Sequence, residues 1–277
     1  MNRVPSFCLH RPKTLDRALG ILSEYDNSAV LMGGTELLPL MKVGLSAAEH
    51  LVDCRSLMSD LRREGDDLII GAGVTHRRLE TDPMIQSLLP SLSELEHHLA
   101  NVRVRNVGTL GGNLCFAEPR SDPATLLVAL GAIVNFQKST GRRSMLVEDF
   151  LVGPFSTALE PGEVLLEVRI PIPLSNETVG FRRLAFGERP AANVAVKVGP
   201  SGFRIAVGAV GLKATRALDA ERLLREGGQA AIETAAQAAA AEVPTVSDVD
   251  GSADYKRHLI GVLLRRSLVS AFEGVAR

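Results

Sequence analysis

The sequence predicts an α+β protein in two parts, and three observations carry that reading. Short apolar strands alternate with helical runs up to about residue 171, three strand-like runs precede three helical ones beyond it, and two glycine-rich segments interrupt strand-to-helix transitions in the first part. At 277 residues the chain is long for a single core, which favours one large domain or two moderate ones. Pro171 and Pro173 flank a natural linker, so the expected parts are 1–171, itself divided near residue 55, and a smaller part at 172–277.

Thr14 is placed to cap a helix in which Leu15, Ala18, Leu19 and Leu22 repeat at i, i+3, i+4 and i+7. The apolar run Ala29 to Met32 reads as a strand, and Gly33 and Gly34 follow it. Leu37 to Val43 reads as a short helix, with Pro39 tolerable in its first turn and Gly44 at its end. Strands are expected at 51–54 and 68–72, and a helical region at 82–100. Leu110 to Phe116 continues through the second glycine segment. Asp122 is placed to cap an apolar helix at 123–132, with Pro123 as its first residue. Strands at 133–137, 144–147 and 163–170 complete the first part. Strands at 179–186, 192–198 and 203–210, then helices beginning near Ala217, Gln229 and Asp254, make the second. The alanine-rich stretch at 230–241 has high helix propensity and little side-chain chemistry, so it reads as scaffold.

Composition excludes several functions. With 31 basic against 32 acidic residues the formal charge is −1, which leaves no electrostatic footprint for nucleic acid. Hydrophobic residues at 45% and charged residues at 23% are ordinary for a globular chain. No apolar run approaches the ~18 residues of a membrane span, and the opening residues lack the apolar core of a signal peptide. Cys8, Cys54 and Cys115 stand far apart with no C-x-x-C pair, arguing against a zinc site, an iron–sulfur cluster or a disulfide framework. A cytoplasmic location with reduced thiols is expected. His97 and His98 are adjacent and point apart on a helix, and none of His10, His50, His76 or His258 has an H-x-x-x-H partner, so no metal site is expected. No G-x-S-x-G elbow supports a serine nucleophile.

The glycine segments carry the chemistry. In R-N-V-G-T-L-G-G-N-L-C-F-A-E-P-R-S-D-P, residues 105–123, Gly108, Gly111 and Gly112 lack the Cβ atoms that would hold a ligand off the main chain. Thr109, Asn113 and their amides are therefore expected to close onto phosphate oxygens. The segment A-V-L-M-G-G-T-E-L-L-P-L-M-K, residues 29–42, repeats the arrangement of apolar strand, paired glycines, threonine and helix. Either segment alone is a weak signal. Together they point to one extended ligand. By contrast, G-A-G-V-T-H at 71–76 lacks the third glycine of a dinucleotide fingerprint and the acidic residue about twenty positions on, so a Rossmann site is not expected there.

These segments, with G-E-V-L-L-E-V-R-I-P at 162–171 and Y-K-R-H-L at 255–259, resemble the FAD-binding (medium) subunits of the molybdenum hydroxylase family, which includes xanthine dehydrogenase, aerobic carbon monoxide dehydrogenase and 4-hydroxybenzoyl-CoA reductase. The resemblance runs from about Phe7 to the last helix. It implies that Leu31, Met32, Gly33, Gly34, Thr35, Glu36 and Leu37 wrap the pyrophosphate and ring of FAD, and that Gly108, Thr109, Gly111, Gly112 and Asn113 form the opposite wall. Asp122 matches a ribose-binding aspartate, Leu165 a backbone contact near the flavin, and Arg182 a basic residue close to the cofactor. The chain departs from the family pattern at Glu118, where A-D-P is commoner, and at Asn193, where aspartate is frequent. It also lacks the cysteine-rich insertion of the 4-hydroxybenzoyl-CoA reductase flavoprotein.

The resemblance implies an electron relay inside a heteromeric enzyme: a molybdopterin-containing large subunit handles substrate, a small subunit with [2Fe–2S] clusters carries electrons, and the flavin exchanges them with NAD or another acceptor. The chain itself offers no acid–base pair for substrate chemistry. Two other readings stand beside it. A free-standing FAD-dependent oxidoreductase needs an acid or base above the flavin, for which Tyr25 and Tyr255 are poorly positioned. A cofactor-free assembly or binding protein of the same fold is favoured by loss of Thr109, Asn113 or Asp122, and all three are present.

Overall fold

The computed structural model describes residues 4–275. It opens with β1 (Cys8–His10), α1 (Leu15–Glu24), β2 (Ser28–Leu31), α2 (Leu37–Lys42) and β3 (His50–Asp53). The three strands form a parallel sheet in the order β1-β3-β2. Thr14 caps α1, its hydroxyl oxygen accepting from the Arg17 amide.

A second sheet begins at β4 (Leu61–Glu64) and β5 (Asp67–Gly71). Helices α3 (His76–Thr81), α4 (Pro83–Leu88), α5 (Pro90–His97), α6 (Val102–Val107), α7 (Leu110–Phe116) and α8 (Asp122–Leu130) intervene before β6 (Ile133–Lys138) and β7 (Gly141–Leu146). Helix α9 (Val147–Phe150) and the hairpin of β8 (Leu151–Gly153) and β9 (Ser156–Thr157) lead to β10 (Val164–Pro171). The order β4-β5-β10-β6-β7 is antiparallel throughout, with the long, buried β10 in the centre.

The last part is a four-stranded antiparallel sheet, β11 (Thr178–Ala185), β12 (Pro190–Gly199), β13 (Gly202–Gly208) and β14 (Thr215–Arg216). Helices α10 (Leu218–Gly227), α11 (Ile232–Glu242) and α12 (Ala253–Val275) follow. The side chains Val194, Val196, Ile205 and Val207 join Leu224, Ala235, Ile260 and Leu264 of these helices in one apolar cluster. Every residue of α8 is buried, because it packs against β12 and β13 as well as α5 and α7.

Several expectations are corrected. The helical region at 82–100 is two helices, each opened by a proline, and Asp82 closes α3 while capping α4 through the Met84 amide. The cap of α8 is Ser121, whose Oγ accepts from Ala124 N at 3.2 Å; Asp122 lies inside the first turn. The second helix of the last part begins at Ile232 after a short 3₁₀ turn at Gly228–Ala231.

Helices α3, α5 and α6 are stapled by one carboxylate. Glu80 is 6% exposed and accepts from Arg105 Nε at 2.9 Å, pairs with Arg77 and is hydrogen-bonded to His97 at 2.9 Å. Burial opposes its ionisation, but the hydrogen bonds from Arg77, His97 and Arg105 prevail and hold the carboxyl down at about 2. A lowered carboxyl pKa contributes stability that is complete above the ordinary value of 4.5 and is lost as pH falls toward about 2. Glu80→Ala is therefore expected to cost about 3 kcal/mol near neutral pH by leaving the buried Arg105 guanidinium without its carboxylate. Urea melts of both proteins check it: the gap should close as pH falls through that window, and a gap independent of pH contradicts the assignment.

Candidate functional site

Gly33 and the start of the second glycine segment lie backbone against backbone. A Cβ on Gly33 would sit 2.4 Å from the Val107 carbonyl oxygen and 2.6 Å from the Gly108 Cα. Gly34 occupies the left-handed region at φ +69°, which turns the chain from β2 into α2. Among the described residues, the amides of Gly33, Gly34, Thr35 and Glu36 donate to no protein acceptor. They border a cavity of about 780 Å³.

The second segment is built differently from expectation. Four of its amides are already bonded within the protein, Leu110 N donating to Val74 O, Gly111 N to Ala72 O, Gly112 N to Thr109 Oγ1 and Asn113 N to Thr109 O, while Thr109 N donates to no acceptor among the described residues. Its donors at the cavity are therefore the amide and hydroxyl of Thr109 and the Asn113 side-chain amide, whose Oδ1 accepts from Ser121 Oγ at 2.6 Å while Nδ2 stays unbonded among the described residues. The three glycines also divide. Gly111 is required by packing, since a Cβ there would lie 2.5 Å from Ala72 Cβ; at Gly112 it would meet only Thr109 Oγ1 at 3.1 Å and Met32 Cβ at 3.7 Å.

The segment at 71–76 supplies the support. Thr75 bridges Thr109 in antiparallel fashion and His76 N donates to Gly108 O at 3.0 Å, so this stretch forms the floor beneath the second glycine segment. Ala72 and His76 line the cavity. The His76 ring is held by Glu96 at 2.8 Å, both side chains being buried.

Met32, Gly33, Gly34, Thr35, Glu36, Leu37, Thr109, Gly111, Gly112, Asn113, Asp122 and Leu165 all line this one cavity. Leu31, Gly108 and Arg182 do not. Leu31 supports the turn from behind, its Cδ1 3.1 Å from the position of a Gly34 Cβ, and Gly108 is enclosed by His76, Thr35 and Val104. Arg182 is exposed on β11; its neighbour Arg183, on the opposite face of the strand, donates to Asp122 Oδ2 at 2.6 Å.

Asp122 is 2% exposed and doubly engaged, since Asn193 Nδ2 donates to its Oδ1 at 2.6 Å. Burial pushes its carboxyl above the usual range, against the guanidinium of Arg183 and the Asn193 amide, which favour the charged form. Asn193 also accepts from Thr125 Oγ1 at 2.9 Å. An amide donates one way and accepts the other, which an ionised carboxylate at 193 cannot do.

Residues missed in the sequence complete the lining. Arg189, from the turn before β12, pairs with Glu36 at 3.3 Å and with Glu118, and so joins the two glycine segments from the far side. Only the fold brings these groups together, since Arg189 is 153 residues from Glu36. Cys115 also faces the cavity, where desolvation pushes its thiol up to about 12. Leu37, Leu40, Leu99, Phe116, Leu159 and Leu165 add apolar surface to the lining.

Unbonded amides, cationic side chains and apolar surface in one cleft suit a ligand that carries both phosphates and a flat ring. Comparison with known proteins agrees. Residues 5–173 match the FAD binding domain in molybdopterin dehydrogenase, and residues 191–271 match the CO dehydrogenase flavoprotein C-terminal domain. The carbon monoxide dehydrogenase medium chain of Afipia carboxidovorans is 33% identical, over 96% of each chain. The nicotine 6-hydroxylase medium subunit of Paenarthrobacter nicotinovorans is 32% identical, over 97% of this chain and 98% of that one. Among solved structures, quinoline 2-oxidoreductase from Pseudomonas putida 86 superposes with a TM-score of 0.93 at 31% identity, covering 99% of this chain and 100% of that chain. The chain belongs to the FAD-binding medium subunits of the molybdenum hydroxylase family, with FAD as its cofactor and an oxidoreductase assembly as its class. No helix in the described residues is long and apolar enough to cross a membrane.

Two substitutions separate the glycines. Gly112→Val directs a branched side chain toward the cavity and is expected to weaken FAD by at least about 10-fold, with an apoprotein that melts close to the wild type. Gly111→Val collides with the Ala72 main chain and is expected to lose the fold itself. Fluorescence titration with FAD beside thermal melts checks both; equal FAD affinity in Gly112→Val and wild type contradicts the assignment.

Proposed function

We propose that this chain is the electron-relay subunit of a heteromeric molybdenum enzyme, binding FAD without a covalent link in the cavity between its two glycine segments. The observation that carries the reading is the set of unbonded amides at Gly33–Glu36, facing Thr109 and Asn113 across one cleft. In this reading, the amides and Thr35 hold the pyrophosphate and the apolar surface at Leu37 and Leu165 receives the ring. Arg189 offsets phosphate charge, exchanging its carboxylate partners for the ligand. Asp122 positions Asn193 and Arg183 and offers its remaining lone pairs to a ribose hydroxyl. Leu31, Gly108 and Arg182 act indirectly or not at all.

FAD, when bound, supplies the redox chemistry, since it accepts electrons singly or in pairs. The protein's residues bind it, orient it and limit water around it. The partners in this proposal are a molybdopterin-containing large subunit and a small [2Fe–2S] subunit, with NAD or another acceptor receiving the electrons. The chain divides at 1–171 and 172–277, and the site draws on both parts.

Co-expression with such partners tests the reading. The purified complex should release a yellow chromophore on heating that phosphodiesterase converts to FMN, and substrate should bleach the flavin only when both partners are present. Turnover of a small substrate by the isolated chain, at the rate of a finished enzyme, would replace the relay with a free-standing oxidoreductase.

A further inference from the structure

Away from the cavity, the described residues contain one cluster of side chains suited to hold a metal ion: Cys8, His10 and His50. The spacing of histidines along the sequence gives no sign of it, because the two rings are 40 residues apart. The parallel register brings them together. Cys8 on β1 lies opposite His50 on β3, and His10, two residues along β1, shares the face of Cys8.

The donor atoms of all three residues lie within 4.8 Å of one another. His10 Nε2 and His50 Nδ1 are 2.9 Å apart, with ring centroids at 5.2 Å and planes inclined by only 19°. The two imidazoles therefore meet nitrogen to nitrogen. The Tyr25 ring stacks on His50 at 3.9 Å and lies 5.6 Å from His10, which restricts the freedom of both rings. Cys8 is exposed and the histidines are half-buried, so an ion has access from solvent.

We propose that Cys8, His10 and His50 form a binding site for a zinc-class divalent cation, which ties the N-terminal edge strand to β3. A thiolate and two imidazoles are the donors that such borderline-soft ions take, and among the described residues the cluster includes no carboxylate that would favour calcium or magnesium. Three protein ligands leave a fourth position for water. On binding, the Cys8 thiol releases its proton to solvent, and the proton between the two rings moves to an outer ring nitrogen by a change of tautomer, so the ion occupies its place. Strand β1 is only three residues long, so an added cross-link at Cys8 and His10 stabilises a segment held by few ladder bonds.

The test uses the full-length, tag-free protein with its flavin, titrated with zinc and, separately, cadmium in a calorimeter. Wild type should bind one equivalent of each, and zinc should raise the melting temperature. Cys8→Ser and His50→Ala should each weaken binding by at least about 10-fold and abolish the melting shift, while His258→Ala, a change at an exposed histidine elsewhere, should alter neither. Cys8→Ser is an exposed, near-isosteric change, so its fold is retained and its melting curve without zinc verifies this. Absence of saturable binding in wild type overturns the proposal, as does binding that is equally strong in both variants.

Discussion

The contact on which the candidate site depends is the one between two main chains at Gly33 and Val107–Gly108. At the 2.4 Å separation from the Val107 carbonyl that a Cβ would have, any side chain forces the segments apart. With glycine there, the turn after β2 rests directly on the end of α6, and its amides at 33–36 face the same space as Thr109 and Asn113. Gly111 against Ala72 repeats the arrangement one layer deeper. Stretches distant in sequence thus pack in succession, the turn at 33 on residues 107–108 and Gly111 on Ala72. The cavity is the gap that remains above them. Division of labour follows from this stacking: the second segment uses the amides of residues 110–113 to bind its own support, which leaves most of the free amides on the first.

The second sheet and the last part meet through α8. A helix buried on all sides needs partners for every polar group in it, and Asp122 finds them in Arg183 and Asn193 across the junction. Such a buried ion pair is not in itself strongly stabilising, because desolvation offsets much of the Coulomb attraction. Its consequence is positional. It fixes β11 and β12 beside the glycine segments, and the turn between those strands then brings Arg189 to Glu36 and Glu118.

Much of this was legible in the sequence. Regular periodicity announced α1, β2, β5, β10 and the strands and helices of the last part, because long apolar faces leave clear period-2 or period-3.6 signals. The same signal is too weak for β1, which has three largely exposed residues, for β4 with its Arg62 and Arg63, and for the polar α3. The site was legible where it rests on glycine, threonine and asparagine in close succession. It was not legible at His76, Cys115 or Arg189, because nothing local distinguishes them; their relation to the cavity arises from register and from the turn before β12. Arg182 and Arg183 illustrate the same limit, since a one-residue choice on a strand decides which face a cation occupies. The rejected fingerprint at 71–76 is a further instance: Gly71 and Gly73 answer to the backbone of Met58 and Arg55, not to a phosphate.

The account stands most directly on where the pyrophosphate of FAD lies. A crystal structure of the chain with FAD bound should place phosphate oxygens within hydrogen-bonding distance of the amides of Gly34 and Thr35, with the Gly111 and Gly112 amides still bonded to Ala72 and Thr109. Pyrophosphate bound instead by the amides of residues 111–113, or lying outside the cleft, would contradict it.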